Sequence, residues 1–312
     1  MLQRSKRIVV TGGAGFIGSH LVDRLLATTE SHVLVLDNLS RGQLSNLIPH
    51  IAEPRLEIVQ GDIRDLDTVV SAVRGADVVY HLAAQSTVMG GVTAAEYTFT
   101  TNIIGTFNVL RGAATCGAER VVFTSSREVY GEPINLPVDE DSPLLAINSY
   151  GASKVAGEAY CRAFRRELGL QTMILRLSNV YGPRDIGRVI PLWVQQARAG
   201  RNLEVYGGKQ VIDFVWVSQV VEALVRAAEF EGALPPINVG SGTGTRIVDL
   251  ARRIMRLSDR QGRVGLQPAR SMEVTRYVAN IERMQQLLKI EPPLDPLAHL
   301  PVMFGAPVGV LI

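Results

Sequence analysis

Arg7-Ile8-Val9-Val10-Thr11-Gly12-Gly13-Ala14-Gly15-Phe16-Ile17-Gly18-Ser19-His20 is the stretch from which the rest of the chain is read. A short β-branched run leads into glycines at 12, 13, 15 and 18, and Leu21, Val22, Leu25 and Leu26 continue at helical spacing. The pattern predicts strand, tight turn, helix. In such a turn one glycine permits the bend, one lets the backbone approach a pyrophosphate, and one lets the helix pack on its strand. The N–H groups at the helix start then face the anion. The next strand, His32-Val33-Leu34-Val35-Leu36, ends at Asp37, whose carboxylate can accept hydrogen bonds from both ribose hydroxyls of an adenosine. A 2′-phosphate would be repelled there, so the expected cofactor is NAD and not NADP.

Composition narrows the function classes. The 312 residues, 46% hydrophobic and 20% charged, suit one large or two unequal domains with a sizeable core. With 32 basic and 30 acidic residues and no long block of either sign, a nucleic-acid or membrane-surface partner is not expected, and a small-molecule partner is. Cys116 and Cys161 lie in helix-like patterns, which argues for a reducing, cytoplasmic compartment and against a disulfide frame or a metal site. No apolar run suits a signal peptide or a membrane span.

Along the chain, strands are expected at Leu56–Gln60, Asp77–Leu82, Arg120–Phe123 and Thr172–Leu177, with one long helix from about Ala94 to Cys116. This alternation predicts an α/β fold, a Rossmann-type doubly wound parallel sheet, with ligands beyond the carboxyl ends of the strands. Asp62-Ile63 follows the third strand, where an acid meets the adenine edge or instead caps the next helix. Small residues in Leu82-Ala83-Ala84 let a cofactor lie against the backbone, and His81 is read as structural. After about residue 177 the alternation weakens. The expected organisation is a cofactor-binding domain over 1–177, to which a helix near 218–230 returns, and a smaller mixed α/β substrate domain over 178–312.

Tyr150 and Lys154 stand four apart at a helix start and so share a face. An ammonium about 4 Å from a phenol favours the phenolate by a gross term of about 4 kcal/mol at an effective dielectric near 20, with desolvation opposing it. Tyr150 is thus a candidate general base, and Ser126 at the fifth strand's end a partner for the same substrate hydroxyl.

Together, Thr11 to Gly18, Asp37, Asp62-Ile63, His81 to Ala84, Asn102 with Gly105-Thr106, Ser125-Ser126, Tyr150 to Lys154 and Leu175 to Arg184 resemble the extended short-chain dehydrogenase/reductase family, and within it the nucleotide-sugar 4-epimerases. The resemblance implies Ser126, Tyr150 and Lys154 as catalytic residues. It implies Gly12, Gly15, Phe16, Ile17, Asp37, Asn38, Asp62, Ile63, Leu82, Ala83, Ala84, Asn102, Tyr150 and Lys154 as NAD contacts. For a UDP-sugar it implies Thr87, Ser126, Arg127, Glu128, Tyr150, Asn179, Arg188, Val189, Arg270 and Glu273. The implied reaction is transient oxidation at C4 to a 4-keto sugar, which turns and is reduced on its other face.

Other features point elsewhere. Arg127 stands where related dehydratases carry an aspartate, and an arginine cannot serve as their acid. Glu128 and Gly187-Arg188-Val189 are similar to the UDP-glucuronate decarboxylases, where an arginine could face a substrate carboxylate. Ile212 replaces a phosphate-binding arginine, and Tyr277 falls where relatives carry a large or small residue that excludes or admits N-acetyl sugars, the bulky ring here favouring hexoses without the acetamido group. Relatives pair two helices per subunit into a homodimer, for which the faces around Ile103–Leu110 and Ala156–Phe164 are candidates. A non-catalytic NAD or sugar-nucleotide sensor is the alternative from outside the enzymes.

Overall fold

The computed structural model describes residues 5–86, 93–269 and 275–305. The chain forms two compact units. The first comprises Met1–Gly131, Pro143–Arg176 and Val221–Ile237, and the second Glu132–Ser142, Leu177–Val220 and Asn238–Ile312.

A seven-stranded sheet is built from β1 (Arg7–Thr11), β2 (His32–Asp37), β3 (Leu56–Gln60), β4 (Val78–His81), β5 (Arg120–Ser126), β6 (Gln171–Leu177) and β10 (Ile237–Val239), in the order β10-β6-β5-β4-β1-β2-β3. β1 pairs in parallel with β2 and β4, and β4 with β5. Register decides where the chemistry sits. Thr11 pairs with Leu36 on one side and His81 on the other, so the glycine turn, Asp37 and Leu82-Ala83-Ala84 leave the sheet at the same edge. Both faces of such a sheet are covered, which is why its strands read as continuous apolar runs. One face packs Val9, Leu34, Val79, Val121 and Phe123 against Val69, Val109, Leu110, Cys161 and Phe164, so Cys161 is a packing residue.

Helix α1 (Phe16–Thr28) follows β1, and α2 (Leu66–Val73) follows β3. The segment expected as one helix from 94 to 116 is instead α3 (Ala95–Phe99), a π-helical turn (Thr100–Ile104) and α4 (Gly105–Thr115). Such turns insert one residue into a helix and cluster at functional positions. Here the turn carries Asn102, whose side chain accepts from Gln85 N–H (2.8 Å) and donates to Gln85 C=O (2.9 Å) and Ser153 Oγ (2.9 Å). α5 (Ser149–Leu168) is capped by Asn148, whose Oδ1 accepts from Gly151 N–H at 2.8 Å, and ends at left-handed Gly169.

The second unit holds β7 (Asn179–Tyr181), α6 (Val189–Arg198), β8 (Leu203–Tyr206), β9 (Val211–Trp216), β11 (Gly244–Arg246), α8 (Ile247–Leu257), β12 (Val264–Gln267), β13 (Arg276–Tyr277) and α9 (Glu282–Leu288). The strand order β11-β9-β13, with β7 also beside β9, surrounds the buried Asp213. Its carboxylate accepts from Ser241 N–H and Oγ–H, Gly242 N–H and Ala279 N–H, which ties three distant segments together.

Two boundaries differ from the sequence expectation. β10, read there as part of the smaller domain, is the edge strand of the large sheet. The stretch 132–142, read as part of the first domain, belongs to the second, where Val138 exchanges backbone hydrogen bonds with Val278 and Asn280 (2.8 Å each) and Glu140 accepts from Asn238 N–H at 2.9 Å. α7 (Val217–Glu229) joins the first unit from Val221 onward, where Glu222 pairs with Arg24 at 3.0 Å. Among the described residues beyond Pro292 there is no long helix, and the chain is pinned by side chains: Asp295 accepts from Arg253, Tyr181 OH donates to Pro296 C=O at 2.7 Å, and His299 stacks on Trp216 at 4.9 Å.

Candidate active site

The cofactor end is a backbone cradle. Gly12 is left-handed at φ +73°, and a Cβ there would stand 2.7 Å from Ala83 N. Gly15 caps α1 with no side-chain bond, and no acid occupies the first turn, so the N–H groups of Phe16 and Ile17 open the helix towards an anion. Asp37 is buried, with Oδ2 accepting from Ala14 N–H (3.0 Å) and Oδ1 from Leu39 N–H (2.8 Å). Burial raises its pKa while these two bonds oppose the shift. Each oxygen accepts only one of its two bonds from the protein, which leaves capacity for a ribose diol.

Asp62 is not the helix cap. Asp65 caps α2 through Asp67 N–H, while Asp62 is gripped by Arg64 (2.8 and 3.0 Å) and by Asn38 Nδ2 (2.9 Å). Arg64 holds the Asp62 carboxyl down at about 2, against its desolvation, and itself lies over the Tyr97 ring at 5.0 Å. Ile63 is buried, and Leu82, Ala83 and Ala84 are half-buried at the strand end. His81 is structural: its ring nitrogens meet Thr11 Oγ1 (2.8 Å) and Thr106 Oγ1 (2.9 Å), and burial, with Lys154 nearby, holds it neutral down to about 3. The uncapped helix start, the close-approach glycine and the buried Asp37 fit a dinucleotide.

Beside this cradle lie Ser126, Tyr150 and Lys154, the acid–base group expected from the sequence. β5 extends three residues past its expected end, so Ser126 is both its last residue and the cap of the 3-10 turn Arg127–Tyr130, its Oγ accepting from Glu128 N–H at 3.2 Å. Tyr150 is half-buried on the first turn of α5. Lys154 is buried; its ammonium donates to Thr124 C=O at 2.8 Å and lies 4.9 Å from the Phe123 ring centroid and 5.9 Å from that of Tyr150. The helix start sits directly on the serine turn, since a Cβ on Gly151 would stand 2.4 Å from Glu128 C=O. Glu128 clamps the same junction: one oxygen pairs with Arg127 (2.9 Å) and the other accepts from Asn148 Nδ2 (2.8 Å).

Burial brings the Lys154 pKa down to about 8, with the Cys161 and Glu158 sites opposing the shift. A lysine is cationic below its pKa, so its support for a Tyr150 phenolate is present at neutrality and lost above about pH 8. Turnover measured from pH 6 to 10 is expected to fall tenfold per unit above that point. A rate flat to pH 10 would contradict the charge as the source of activation.

In the second unit, Asn179 opens β7 and Val189 opens α6. Among the described residues, Asn179 Oδ1 and Ser178 Oγ are buried without a hydrogen bond. Arg188 pairs with buried Asp185 at 2.9 Å, and Arg184 holds a left-handed backbone at φ +65°. Ile212 pairs in register with Tyr277, which is fully buried. Thr87, Arg270 and Glu273 lie outside the described residues.

Sequence reading missed Asn148, Glu158 and Arg176. Glu158 and Arg176 did leave a trace, as an acid one turn past Lys154 and a cation inside an apolar strand. Among the described residues, no cluster of His, Cys, Asp or Glu could hold a metal ion, and no helix is long and apolar enough to cross a membrane.

Comparison with known proteins places these features in context. The profile of the NAD dependent epimerase/dehydratase family matches residues 8–240. The chain is 37% identical over 296 residues to the UDP-glucose 4-epimerase of Mycolicibacterium smegmatis, covering 92% of this chain and 93% of that one. It is 34% identical over 310 residues to UDP-glucuronic acid decarboxylase 2 of Arabidopsis thaliana, covering 96% and 68%. Among solved structures, the dTDP-glucose 4,6-dehydratase of Streptomyces venezuelae with NAD bound superposes with a TM-score of 0.90 at 32% identity, covering 96% of this chain and 97% of that one.

Proposed function

The chain belongs to the NAD-dependent epimerase/dehydratase family, with NAD as its cofactor, and from that footing we propose that it is a nucleotide-sugar 4-epimerase acting on a UDP-hexose or UDP-hexuronate. The observation that carries the reading is the buried Lys154 ammonium, held by Thr124 C=O beside the Tyr150 ring at the end of the strand that Ser126 closes.

NAD, when bound, supplies the hydride acceptor and donor for C4. Tyr150 takes the proton of the C4 hydroxyl, its phenolate favoured by the Lys154 charge. Ser126, its oxygen oriented by Glu128 N–H, keeps its proton and donates a hydrogen bond to the same substrate oxygen. The C4 carbonyl so formed turns over, and Tyr150 returns the proton as reduction occurs on the opposite face. Asn179, Arg188, Val189, Thr87, Arg270 and Glu273 are assigned to the sugar nucleotide, with Arg127 and Glu128 beside the reacting ring. The same reading takes the chain as a cytoplasmic homodimer, which sedimentation velocity checks.

Incubation with NAD and, separately, UDP-glucose, UDP-galactose and UDP-glucuronate, followed by NMR of the anomeric protons, tests the proposal. A new C4 epimer of unchanged carbon count supports it; no isomer from any UDP-, TDP- or GDP-sugar counts against it. Glu128 and the Arabidopsis relative favour a second reading, decarboxylation of UDP-glucuronate through the same C4 ketone. Carbon dioxide release with a pentose signal would identify that reaction.

A further inference from the structure

One buried cluster in the first unit is not used by the reaction as described. Glu158 stands one turn past Lys154 on α5 with no exposed surface, and Arg176, 2% exposed, lies on β6. Glu158 Oε1 accepts from Ser125 Oγ at 2.6 Å and from Arg176 Nε at 2.8 Å, and Oε2 accepts from the Arg176 terminal nitrogen at 2.7 Å. Arg162 reaches Oε2 at 3.3 Å. The remaining arm of Arg176 donates to Tyr130 OH at 2.8 Å, its guanidinium 5.0 Å from that ring's centroid.

A buried ion pair of this kind is a poor source of stability, because desolvation of both charges offsets their attraction and apolar replacements of the same volume are often as stable. What it supplies is a fixed geometry and a fixed charge. The four segments it joins are the end of β5 next to Ser126, the turn after it, the helix of Tyr150 and Lys154, and β6. We propose that Glu158, gripped by Arg176, is the positioning residue of this site: it sets the register of Ser126 against Tyr150 and Lys154, and its charge keeps the Lys154 ammonium protonated in a buried place.

Among the described residues, the groups around Lys154 leave Glu158 as its nearby anion. From its own helix it faces Tyr150, Glu158 and the Cys161 thiol, which burial holds protonated; from β4 the neutral His81; from β5 the Thr124 carbonyl and the Phe123 ring. Arg176 and Arg162 act on Glu158. The proposal rests on the assignment of Tyr150 and Lys154 to the reaction, but it can be read without turnover.

The chain has four lysines, Lys6, Lys154, Lys209 and Lys289, so ¹³C-lysine labelling gives four ε-methylene signals whose pH titrations are resolved by NMR, with Lys154→Met assigning one. In Glu158→Gln the Lys154 midpoint is expected to fall by about one unit while the other three stay in place, and the alkaline limb of kcat to move with it, tenfold in rate at a fixed alkaline pH. Glu158→Asp, which keeps the charge but shortens the reach, is expected to hold the midpoint and lose kcat with KM unchanged. If Glu158→Gln fails to fold, the double variant Glu158→Gln/Arg176→Gln, which removes both members of the buried pair and leaves only the half-exposed Arg162 without its partner, is titrated instead, with the Lys154 midpoint expected to fall by less than in the single variant. A folded variant with an unmoved Lys154 midpoint and full kcat would overturn the proposal and leave the pair a plain clamp. A wild-type chain that turns over no sugar nucleotide would defeat the 4-epimerase reading, while the lysine titration still decides this one.

Discussion

Tyr150→Phe is expected to lower turnover by about 10²- to 10⁴-fold, the usual contribution of a positioned acid–base group, while leaving the melting temperature and bound NAD near wild type. The substitution keeps the ring that packs on the first turn of α5 and deletes only the hydroxyl. Asn148 still caps the helix through Gly151 N–H, and Ser153 Oγ still donates to the residue 150 carbonyl, so the backbone has no reason to move. Lys154 keeps its bond to Thr124. The loss is therefore one of proton transfer alone and should appear in kcat, with KM little changed. Product is followed by anomeric proton NMR and cofactor by its release on denaturation. Turnover within threefold of wild type would remove Tyr150 from the reaction, and an untouched cellular role would favour a sensor.

Gly18→Ala is the second large effect, and it acts through backbone. A Cβ at position 18 would lie 2.1 Å from Gly12 C=O and 2.8 Å from Gly13 Cα, atoms that cannot rotate away as a side chain could. Helix α1 would have to lift from the turn whose N–H groups it presents. Overpacking of this kind costs about 1–3 kcal/mol, which lowers the melting temperature by roughly 5 °C in a chain of this size. The displaced helix start should also release NAD, so dialysed Gly18→Ala is expected to come out free of cofactor where wild type retains it. Retention at wild-type levels would mean that the turn does not hold the pyrophosphate.

Those two positions were legible in the sequence because local chemistry decides them: glycines between a β-branched strand and an amphipathic helix, and a tyrosine four residues from a lysine. Asp37 was readable for the same reason, its distance from the turn being set by one helix and one strand. Asp62 was ambiguous, because an acid after a strand can cap a helix or face a ligand. Arg64, two residues on, and Asp65, which takes the cap, resolve it only in three dimensions. The π-turn at Asn102 was not read because the helix before it, Ala95–Phe99, is too short to set a stripe against which a one-residue displacement would show. Glu158 and Arg176 are 18 positions apart and meet Ser125 from another strand, a juxtaposition that only the sheet order creates. In the second unit, three- and four-residue strands are too short to show a period, and the pairing of β10 with the large sheet is visible only in three dimensions.

The account stands or falls on whether hydrogen leaves C4 and comes back to the same molecule. Turnover of an equal mixture of UDP-[4-²H,¹³C6]glucose and unlabelled sugar in ordinary water, with mass analysis of the recovered epimer, tests this directly. Transient oxidation predicts that deuterium stays at C4 of the ¹³C-labelled inverted product and is absent from the unlabelled one, with no net change in the oxidation state of the cofactor. Deuterium lost to solvent, or found in the product of the unlabelled sugar, would contradict it.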